Sequence, residues 1–149
     1  SVDPVIFSHS NARALWDHER NIHDDQALAC AATGGVVGVT GVGIFLGDND
    51  SSTDRLVEHI CHYVDLLGPD HVGIGLDHVH VPFDLADEVS GRPDYWPPGQ
   101  QYDTPGITFA HPGQVHAICD RLLARGLSDA ETTGILGGNF LRVAEQVWG

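Results

Sequence analysis

The amino-acid sequence predicts an α/β fold in which helices cover a parallel β-sheet. Three short segments are rich in β-branched residues and almost uniformly apolar, which is typical of parallel strands buried on both faces. Helical segments with start and end signals separate these strands. Successive strands begin roughly 30 to 36 residues apart, which is the length of one βα unit with its covering helix.

The predicted strands cover about residues 4–9, 36–40 and 71–77, with the sequences PVIFSH, VVGVT and HVGIGLD. A closed (β/α) barrel needs eight strands and about 250 residues, so three strands form either an arc of a barrel or a small open sheet. A length of 149 residues suits one domain with a real core. We therefore predict a single domain over residues 1–149.

Two helices are predicted between these strands. Asp24 or Asp25 is expected to cap a helix that runs to about residue 32 and ends at a Gly-Gly pair. Ser52 or Thr53 is expected to cap the next helix, which a Gly-Pro pair ends. Apolar residues at helical spacing predict its buried face. They are Leu56, Val57, Ile60, Cys61, Val64 and Leu67.

Two more helices are expected after the third strand. The first runs from about Gln114 to Arg125. Ser128 and Glu131 then have the spacing of a capping box, in which each side chain binds the backbone N–H of the other residue. They predict the start of a last helix that reaches Val147.

The charge balance argues against some classes of partner. The chain has 7 Lys and Arg against 21 Asp and Glu, a formal net charge of −14. Such a surface repels phosphate backbones and anionic membranes, so we expect neither nucleic acid nor a membrane as a partner. Cys30, Cys61 and Cys119 are odd in number and far apart, so we interpret them as small buried hydrophobic residues rather than a disulfide framework.

Polar residues end two of the predicted strands. His9 ends the first strand and Asp77 ends the third. The carboxyl ends of parallel strands meet at one rim, so both side chains are expected to face a shared site. Histidine is a metal ligand, and aspartate is a ligand or a general base. Either residue taken alone is equally consistent with a structural role.

Arg20 lies in the loop that follows the first strand. The planar guanidinium binds a carboxylate with two parallel hydrogen bonds, so Arg20 is a candidate for binding a substrate carboxylate. The alternative is a salt bridge within the loop to Asp17, Glu19 or Asp24.

The sequence contains other histidine and glycine patterns that compete with this site. His78 and His80 alternate on a strand and share a face, the spacing of a two-histidine metal site in a different metal hydrolase. His59 and His62 share a helix face and are interpreted as surface histidines. The glycines at 41–43 do not continue as G-x-G-x-x-G, so nucleotide binding has no support.

A proline-rich stretch follows the third strand. Residues 91–106 (GRPDYWPPGQQYDTPG) predict a long loop without regular structure. In α/β proteins this position lies at the carboxyl rim of the sheet, where sites are built. Tyr95, Trp96 and Tyr102 either cover a pocket there or pin the loop to the surface.

Taken together, these motifs resemble the renal (membrane) dipeptidase family. PVIFSHSNARAL, followed by Arg20-Asn21, is similar to the sixth strand and following loop of that family. GGVVGV at 34–39 is similar to its seventh strand, HVGIGLD at 71–77 to its eighth, and GGNFLRV at 137–143 to its final helix. The match covers nearly the whole chain in the right order.

The resemblance implies the C-terminal part of a (β/α)8 TIM-type barrel of the metal-dependent hydrolase kind, with about three βα units and a final helix. It implies hydrolysis of dipeptides with zinc as cofactor, two divalent ions in the intact site. Carried over to this sequence, His9 binds one metal ion and Arg20 binds the C-terminal carboxylate of the substrate. Asp77 contacts the catalytic water and the substrate.

The sequence also departs from the family pattern. The family's H-x-D pair, bridging glutamate and other histidines have no counterpart in this chain, and D-F-D-G is replaced by Asp77-His78-Val79-His80. A catalytic zinc takes about three protein ligands, so His9 alone cannot hold it. We therefore expect these 149 residues alone to have no dipeptidase activity.

A non-catalytic role is the alternative. The chain has no methionine and begins Ser-Val-Asp-Pro, so we expect it to be part of a longer protein. A three-stranded arc leaves two open edges and an uncovered inner face. We therefore also consider a half-barrel that associates with the N-terminal part of the barrel or with itself as a homo-oligomer. The sequence does not predict the compartment.

Overall fold

A parallel three-stranded sheet forms the centre of the structure. The computed structural model describes residues 3–79, 89, 92, 94–96 and 99–149. Within them, β1 (Ile6–Phe7), β2 (Val36–Val39) and β3 (Val72–Ile74) are neighbours in chain order. Each strand lies inside the segment whose sequence pattern predicts it.

Backbone hydrogen bonds continue the sheet beyond the carboxyl ends of the strands. The N–H of Ser10 donates to the carbonyl of Gly38 over 2.6 Å. The N–H of Gly41 donates to the carbonyl of Leu76 over 3.0 Å. The hydrogen bonding between neighbouring chain segments therefore extends to the residues next to His9 and Asp77.

Helices surround the sheet. Besides short 3₁₀ turns, the described residues form α1 (Asp24–Ala31), α2 (Gly43–Leu46), α3 (Thr53–Leu67), α4 (Val115–Ala124), α5 (Asp129–Thr133) and α6 (Asn139–Trp148). Four of these begin or end close to the predicted bounds. Helix α2 is not predicted, because a single turn is too short to show helical periodicity.

One predicted helix start is wrong. The residue before α1 is His23, and neither Asp24 nor Asp25 caps this helix. The N–H of His23 donates to the Gln26 side chain over 2.9 Å, while both carboxylates lie in the first turn, where the helix dipole favours negative charge. At α3, Ser52 is the cap of the two predicted candidates.

The predicted single last helix is also wrong. Its start is as expected, because the Ser128 N–H donates to the Glu131 carboxylate over 2.7 Å and the Ser128 Oγ accepts from the Glu131 N–H over 3.3 Å. A π-turn over Gly134–Gly138 then separates α5 from α6. Gly137 has dihedrals of φ 157° and ψ −21°, which a helix does not contain.

Helices α1 and α3 cover one face of the sheet. Val37, Val39 and Val72 on that face are fully buried in the main core. The apolar stripe predicted on α3 forms part of this core: Leu56, Val57, Ile60 and Cys61 are buried, and Val64 and Leu67 are partly buried. The helix period therefore identified the buried face correctly.

Phe140 of α6 packs on the opposite face. Because side chains alternate along a strand, Gly73 faces away from the side on which Val72 is buried. A Cβ atom at Gly73 would lie 2.4 Å from the Phe140 ring. A glycine is required there for the ring to approach the sheet so closely.

The cysteines are all free. Cys30 and Cys61 are buried, and Cys119 is partly buried. Burial raises the pKa of the Cys30 and Cys61 thiols, because the apolar core disfavours the thiolate. Within the described ranges, no helix has the length and apolar character needed to span a bilayer.

Candidate active site

A pocket of about 260 Å³ opens at the carboxyl rim of the strands, and we call it the rim pocket. His9, Arg20 and Asp77 all line it. His9 follows β1, Asp77 follows β3, and Arg20 lies in the loop between β1 and α1. The structure therefore brings together the three residues that the sequence singles out.

The His9 side chain makes a hydrogen bond through its Nδ1 atom. Ser8 Oγ lies 2.7 Å from His9 Nδ1. When Nδ1 carries the proton, its N–H donates a hydrogen bond to the Ser8 hydroxyl. The lone pair of Nε2 is then free to bind a cation. Hydrogen bonds of this kind orient metal-binding histidines and set their tautomer.

The Arg20 guanidinium is held by aromatic residues. Its Nη1 donates to the Tyr102 hydroxyl, and its Cζ lies 5.3 Å from the centroid of the Phe45 ring. The Asp17 carboxylate pairs with Arg13 over 2.7 Å, and the described residues show no ion pair of Arg20 with Asp17, Glu19 or Asp24. The salt-bridge alternative considered for Arg20 therefore finds no support among the described residues.

Two buried asparagines fix the loop that carries Arg20. The Asn11 side chain donates to the Thr40 carbonyl (3.2 Å) and accepts from the Thr40 N–H (3.0 Å), so it extends the sheet like a strand residue. The Asn21 side chain donates to the carbonyls of Trp16 and Phe45, both over 2.9 Å. The Asn11 amide is thus paired through both its oxygen and its nitrogen, whereas Asn21 Oδ1 has no hydrogen-bond partner among the described residues. These side-chain bonds to the backbone tie the loop to Thr40 and to α2.

His59 is not a surface residue, which corrects the prediction. Its side chain on α3 is fully buried. Its Nδ1 accepts from the Ala12 N–H (3.1 Å), so Nε2 carries the proton and donates to the Leu46 carbonyl (3.0 Å). Burial lowers the pKa of His59 and so keeps the ring neutral. Through its two hydrogen bonds the ring joins the Arg20 loop to α2.

His18 joins the same loop to the segment around residue 100. Its Nδ1 accepts from the Arg20 N–H over 3.1 Å, so Nε2 donates to the Gln100 carbonyl, also over 3.1 Å. Burial lowers the pKa of His18 and favours the neutral ring that these two bonds require. The Gln100 amide adds a longer contact of 3.4 Å to the Glu19 carboxylate.

Asp77 has an unusual backbone conformation. Its φ is 54°, in the left-handed region that few residues other than glycine adopt. Aspartate tolerates this region better than most residues, and such conformations cluster at functional sites. Asp77 directly follows Leu76, whose carbonyl still accepts from the Gly41 N–H, and the Asp77 side chain is exposed at the pocket.

One wall of the rim pocket is apolar, and the sequence did not predict most of it. Its members include Val42, Ile44, Phe45, Trp96, Tyr102 and Phe109. The wall forms because the chain after residue 106 returns to α2: Val42 and Phe109 form an antiparallel bridge. Gly43 permits this contact, since a Cβ there would lie 2.2 Å from Thr108 Oγ1.

The aromatic residues of the proline-rich loop divide between two environments. Trp96 and Tyr102 line the rim pocket, with ring centroids 4.8 Å apart. Tyr95 is 64% exposed and does not line it. Of the three aromatic residues in this loop, Trp96 and Tyr102 therefore line the pocket. Tyr95 contacts Trp96 from outside the pocket, with ring centroids 5.1 Å apart.

The described residues do not make a complete metal site. No group of three or more His, Cys, Asp or Glu side chains in the described ranges is arranged to hold a metal ion. His9 offers one ligand, fewer than the three protein ligands of a catalytic zinc. His80 lies outside the described residues, and His78 contacts the His111 ring at 5.1 Å without lining the rim pocket.

Known proteins match the chain in sequence and structure. The sequence model of the membrane dipeptidase family (Peptidase family M19) matches residues 1–96. An uncharacterized dipeptidase of Schizosaccharomyces pombe is 34% identical over 149 residues, which are 96% of this chain and 31% of that protein.

Two solved structures share the fold. The crystal structure of an amidohydrolase from Pseudomonas aeruginosa matches with a TM-score of 0.81 and 28% identity, over 99% of this chain and 46% of that chain. A metallo peptidase from Rhodobacter sphaeroides, liganded with a phosphinate mimic of L-Ala-D-Ala, matches with a TM-score of 0.66 and 25% identity. That match covers 98% of this chain and 37% of the other.

The fold, the rim pocket and these similarities define a class of hydrolases built on a barrel with parallel strands. The chain belongs to the membrane dipeptidase family. It spans less than half the length of the three proteins just described. The predicted fold class is thus confirmed: an α/β chain with a parallel sheet that covers part of a TIM-type barrel.

Proposed function

We propose that this chain is the C-terminal part of a zinc-dependent dipeptidase, and that its rim pocket binds and helps to cleave a dipeptide. The observation that carries the proposal is that His9, Arg20 and Asp77 line one pocket at the carboxyl rim of the sheet. Barrel enzymes build their sites at this rim. The dipeptide mimic bound by the Rhodobacter sphaeroides relative supports the substrate class.

Each of the three side chains has a separate role in this proposal. Arg20 binds the C-terminal carboxylate of the dipeptide, because its guanidinium is already oriented by Tyr102 and Phe45. Asp77 holds the proton that moves during attack on the peptide carbonyl, as a general acid–base group. His9 supplies one zinc ligand through Nε2.

Zinc in such sites supplies an activated water at neutral pH. His9 alone does not hold it, so the proposal requires further ligands from residues outside the described ones. We call the assembly that contains them the complete barrel: this chain together with the N-terminal part that its relatives have. It is prepared either as a longer polypeptide or by co-expression of the two parts.

The test compares Ala-Ala hydrolysis by the complete barrel and by these 149 residues alone. With added zinc, the complete barrel is expected to hydrolyse the dipeptide and to lose activity on chelation. The chain alone is expected to be inactive. The proposal is wrong if the complete barrel binds zinc but cleaves no dipeptide, or if the chain alone is active.

A second role, assembly with the N-terminal part of the barrel, is favoured by an apolar groove of about 340 Å³ at the other end of the strands. Pro4, Ile6, Phe140, Val143, Ala144, Val147 and Trp148 line this apolar groove. Trp148 is 85% exposed, and among the described strands β1 pairs on one side only. Exposed apolar surface beside an open strand edge invites association.

Light scattering tests this second role. Trp148→Asp is expected to weaken association with the N-terminal part at least about tenfold, because it removes apolar contact area. Tyr95→Asp is the matched control, since it changes an exposed aromatic residue outside the groove. Equal binding by both variants, or a monomeric chain that binds no N-terminal part, would exclude this role.

A further inference from the structure

We propose that Phe45, Trp96 and Tyr102 form a subsite for a bulky apolar side chain on the C-terminal residue of the substrate. This inference rests on the proposed function and narrows it to a substrate class: dipeptides that end in residues such as leucine or phenylalanine. We call these three residues the aromatic subsite.

The three rings form one continuous surface inside the rim pocket. The Trp96 and Tyr102 centroids lie 4.8 Å apart, and those of Phe45 and Tyr102 lie 5.9 Å apart in an edge-to-face arrangement. Phe45 is buried and Tyr102 is 9% exposed. Packed ring pairs of this kind are rigid, and the parts of them that line the rim pocket form an apolar wall.

Arg20 determines which part of the substrate meets these rings. Its guanidinium contacts both Tyr102 and Phe45. A carboxylate bound to Arg20 is therefore next to the aromatic subsite. The carboxylate is one bond from the α-carbon of the C-terminal residue, so the side chain on that carbon lies within reach of the rings.

The charges of the pocket favour an apolar occupant. The ionisable side chains that line the described part of the pocket are His9, Arg20 and Asp77, with the Tyr102 phenol bonded to Arg20. The wall formed by α2 and the chain around Phe109 carries no charged lining residue among those described. A charged side chain there would lose hydration, and the neighbouring cation, Arg20, is already paired with the C-terminal carboxylate of the substrate in this proposal.

Contacts outside the rim pocket hold two of the three members of the aromatic subsite, Phe45 and Tyr102. The bond from His18 to the Gln100 carbonyl fixes the chain two residues before Tyr102. The His18 ring also packs on Phe45 at 4.9 Å between centroids. A preformed apolar pocket spends little binding free energy on ordering its own side chains, so more is available for selecting the ligand.

The test is a substrate series with a constant N-terminal residue, assayed on the complete barrel. We expect kcat/KM for Ala-Leu and Ala-Phe to exceed that for Ala-Asp at least about tenfold, the usual discrimination of an apolar pocket. Trp96→Ala should reduce this preference to about twofold. Leu123→Ala, which truncates an exposed apolar side chain of α4 outside both the rim pocket and the apolar groove, should leave the preference unchanged.

The outcomes separate this inference from the proposed function. The series also contains Ala-Gly. Similar kcat/KM values for Ala-Leu, Ala-Phe, Ala-Asp and Ala-Gly would overturn the aromatic subsite, while the dipeptidase proposal would stand. A preference for apolar residues that survives in Trp96→Ala also overturns it. If no dipeptide is cleaved, the proposed function itself fails. Should Trp96→Ala not fold, Trp96→Gln takes its place, because it removes the ring and keeps a long side chain; a preference for apolar residues that survives in Trp96→Gln overturns the inference.

Discussion

The rim pocket and the apolar groove lie at opposite ends of the same three strands and differ in chemistry. The rim pocket brings a histidine, an arginine and an aspartate against an aromatic wall. The apolar groove is lined by aliphatic and aromatic side chains, with no ionisable residue among those described. The carboxyl end of the sheet is therefore suited to binding a polar ligand, whereas the opposite end is suited to packing against another apolar surface.

This difference follows from how a parallel sheet is built. Its strands all end at one rim, so the loops that follow them converge, and polar residues there can share a ligand. Residues at the opposite end chiefly contribute to packing and stability. Substitutions at the two ends should accordingly affect different measurements.

The largest difference is expected for aspartates at the two ends of β3. In the complete barrel, Asp77→Asn should lower kcat about 10²- to 10⁴-fold, the usual contribution of a general acid–base group. Asp70→Asn, the same change in the 3₁₀ turn that precedes β3, should leave kcat within about twofold. Steady-state kinetics on Ala-Ala measures both. Equal losses in the two variants would show that the rim position of Asp77 has no special role.

The next effect separates two arginines of one loop. Arg20→Met should lower kcat/KM about 100-fold, mostly through KM, because a charge-assisted carboxylate contact is lost. Arg13→Met removes an exposed pair with Asp17, so its kinetic effect should be within about twofold. A KM that is unchanged in Arg20→Met would contradict carboxylate binding by this residue.

A stability effect is expected beneath the rim pocket. His59→Leu leaves the Ala12 N–H and the Leu46 carbonyl without their partner, which should cost about 2 kcal/mol of unfolding free energy. His116→Leu, on the exposed face of α4, is the control and should change stability by less than about 0.5 kcal/mol. Urea denaturation measures both. If the two variants are equally stable, His59 does not hold the Arg20 loop against α2.

The smallest effect is a pH dependence. His18 and His59 have folded-state pKa values below the ordinary 6.5, because burial disfavours the charged ring. Below about pH 6.5 the unfolded chain therefore binds more protons than the folded chain, and stability falls as the pH falls. The slope is at most about 1.4 kcal/mol per pH unit for each histidine. The dependence should be shallower in a His59→Gln variant; an identical slope would assign it to other groups.

The sequence predicted the polar side of the rim pocket because strand ends are visible in it. Apolar runs that end in His9 and Asp77 place both residues at one rim without any knowledge of distant contacts. The apolar wall was missed because it depends on such contacts. A glycine is needed at position 43 because Thr108, 65 positions later in the sequence, packs against it.

The buried histidine shows the same limit. His59 lies among polar and apolar residues on α3, and histidine is intermediate in its tendency to be buried, so the residue type alone does not decide its environment. Its burial is stabilised by the N–H of Ala12, in the loop between β1 and α1, and by the carbonyl of Leu46, in α2. Periodicity predicts which residues share a helix face, whereas partners from other elements are found in the folded structure.

The indole N–H signals of the three tryptophans test the central claim directly, because each reports on a different place. Trp96 lines the rim pocket, Trp148 lines the apolar groove, and the Trp16 indole donates to the Ile44 carbonyl over 3.0 Å. In a titration of the ¹⁵N-labelled chain with N-acetyl-leucine, the Trp96 signal is expected to shift in a saturable way while that of Trp148 stays fixed. A shift of Trp148 without Trp96, or no shift of Trp96 at any ligand concentration, would contradict ligand binding at the carboxyl rim.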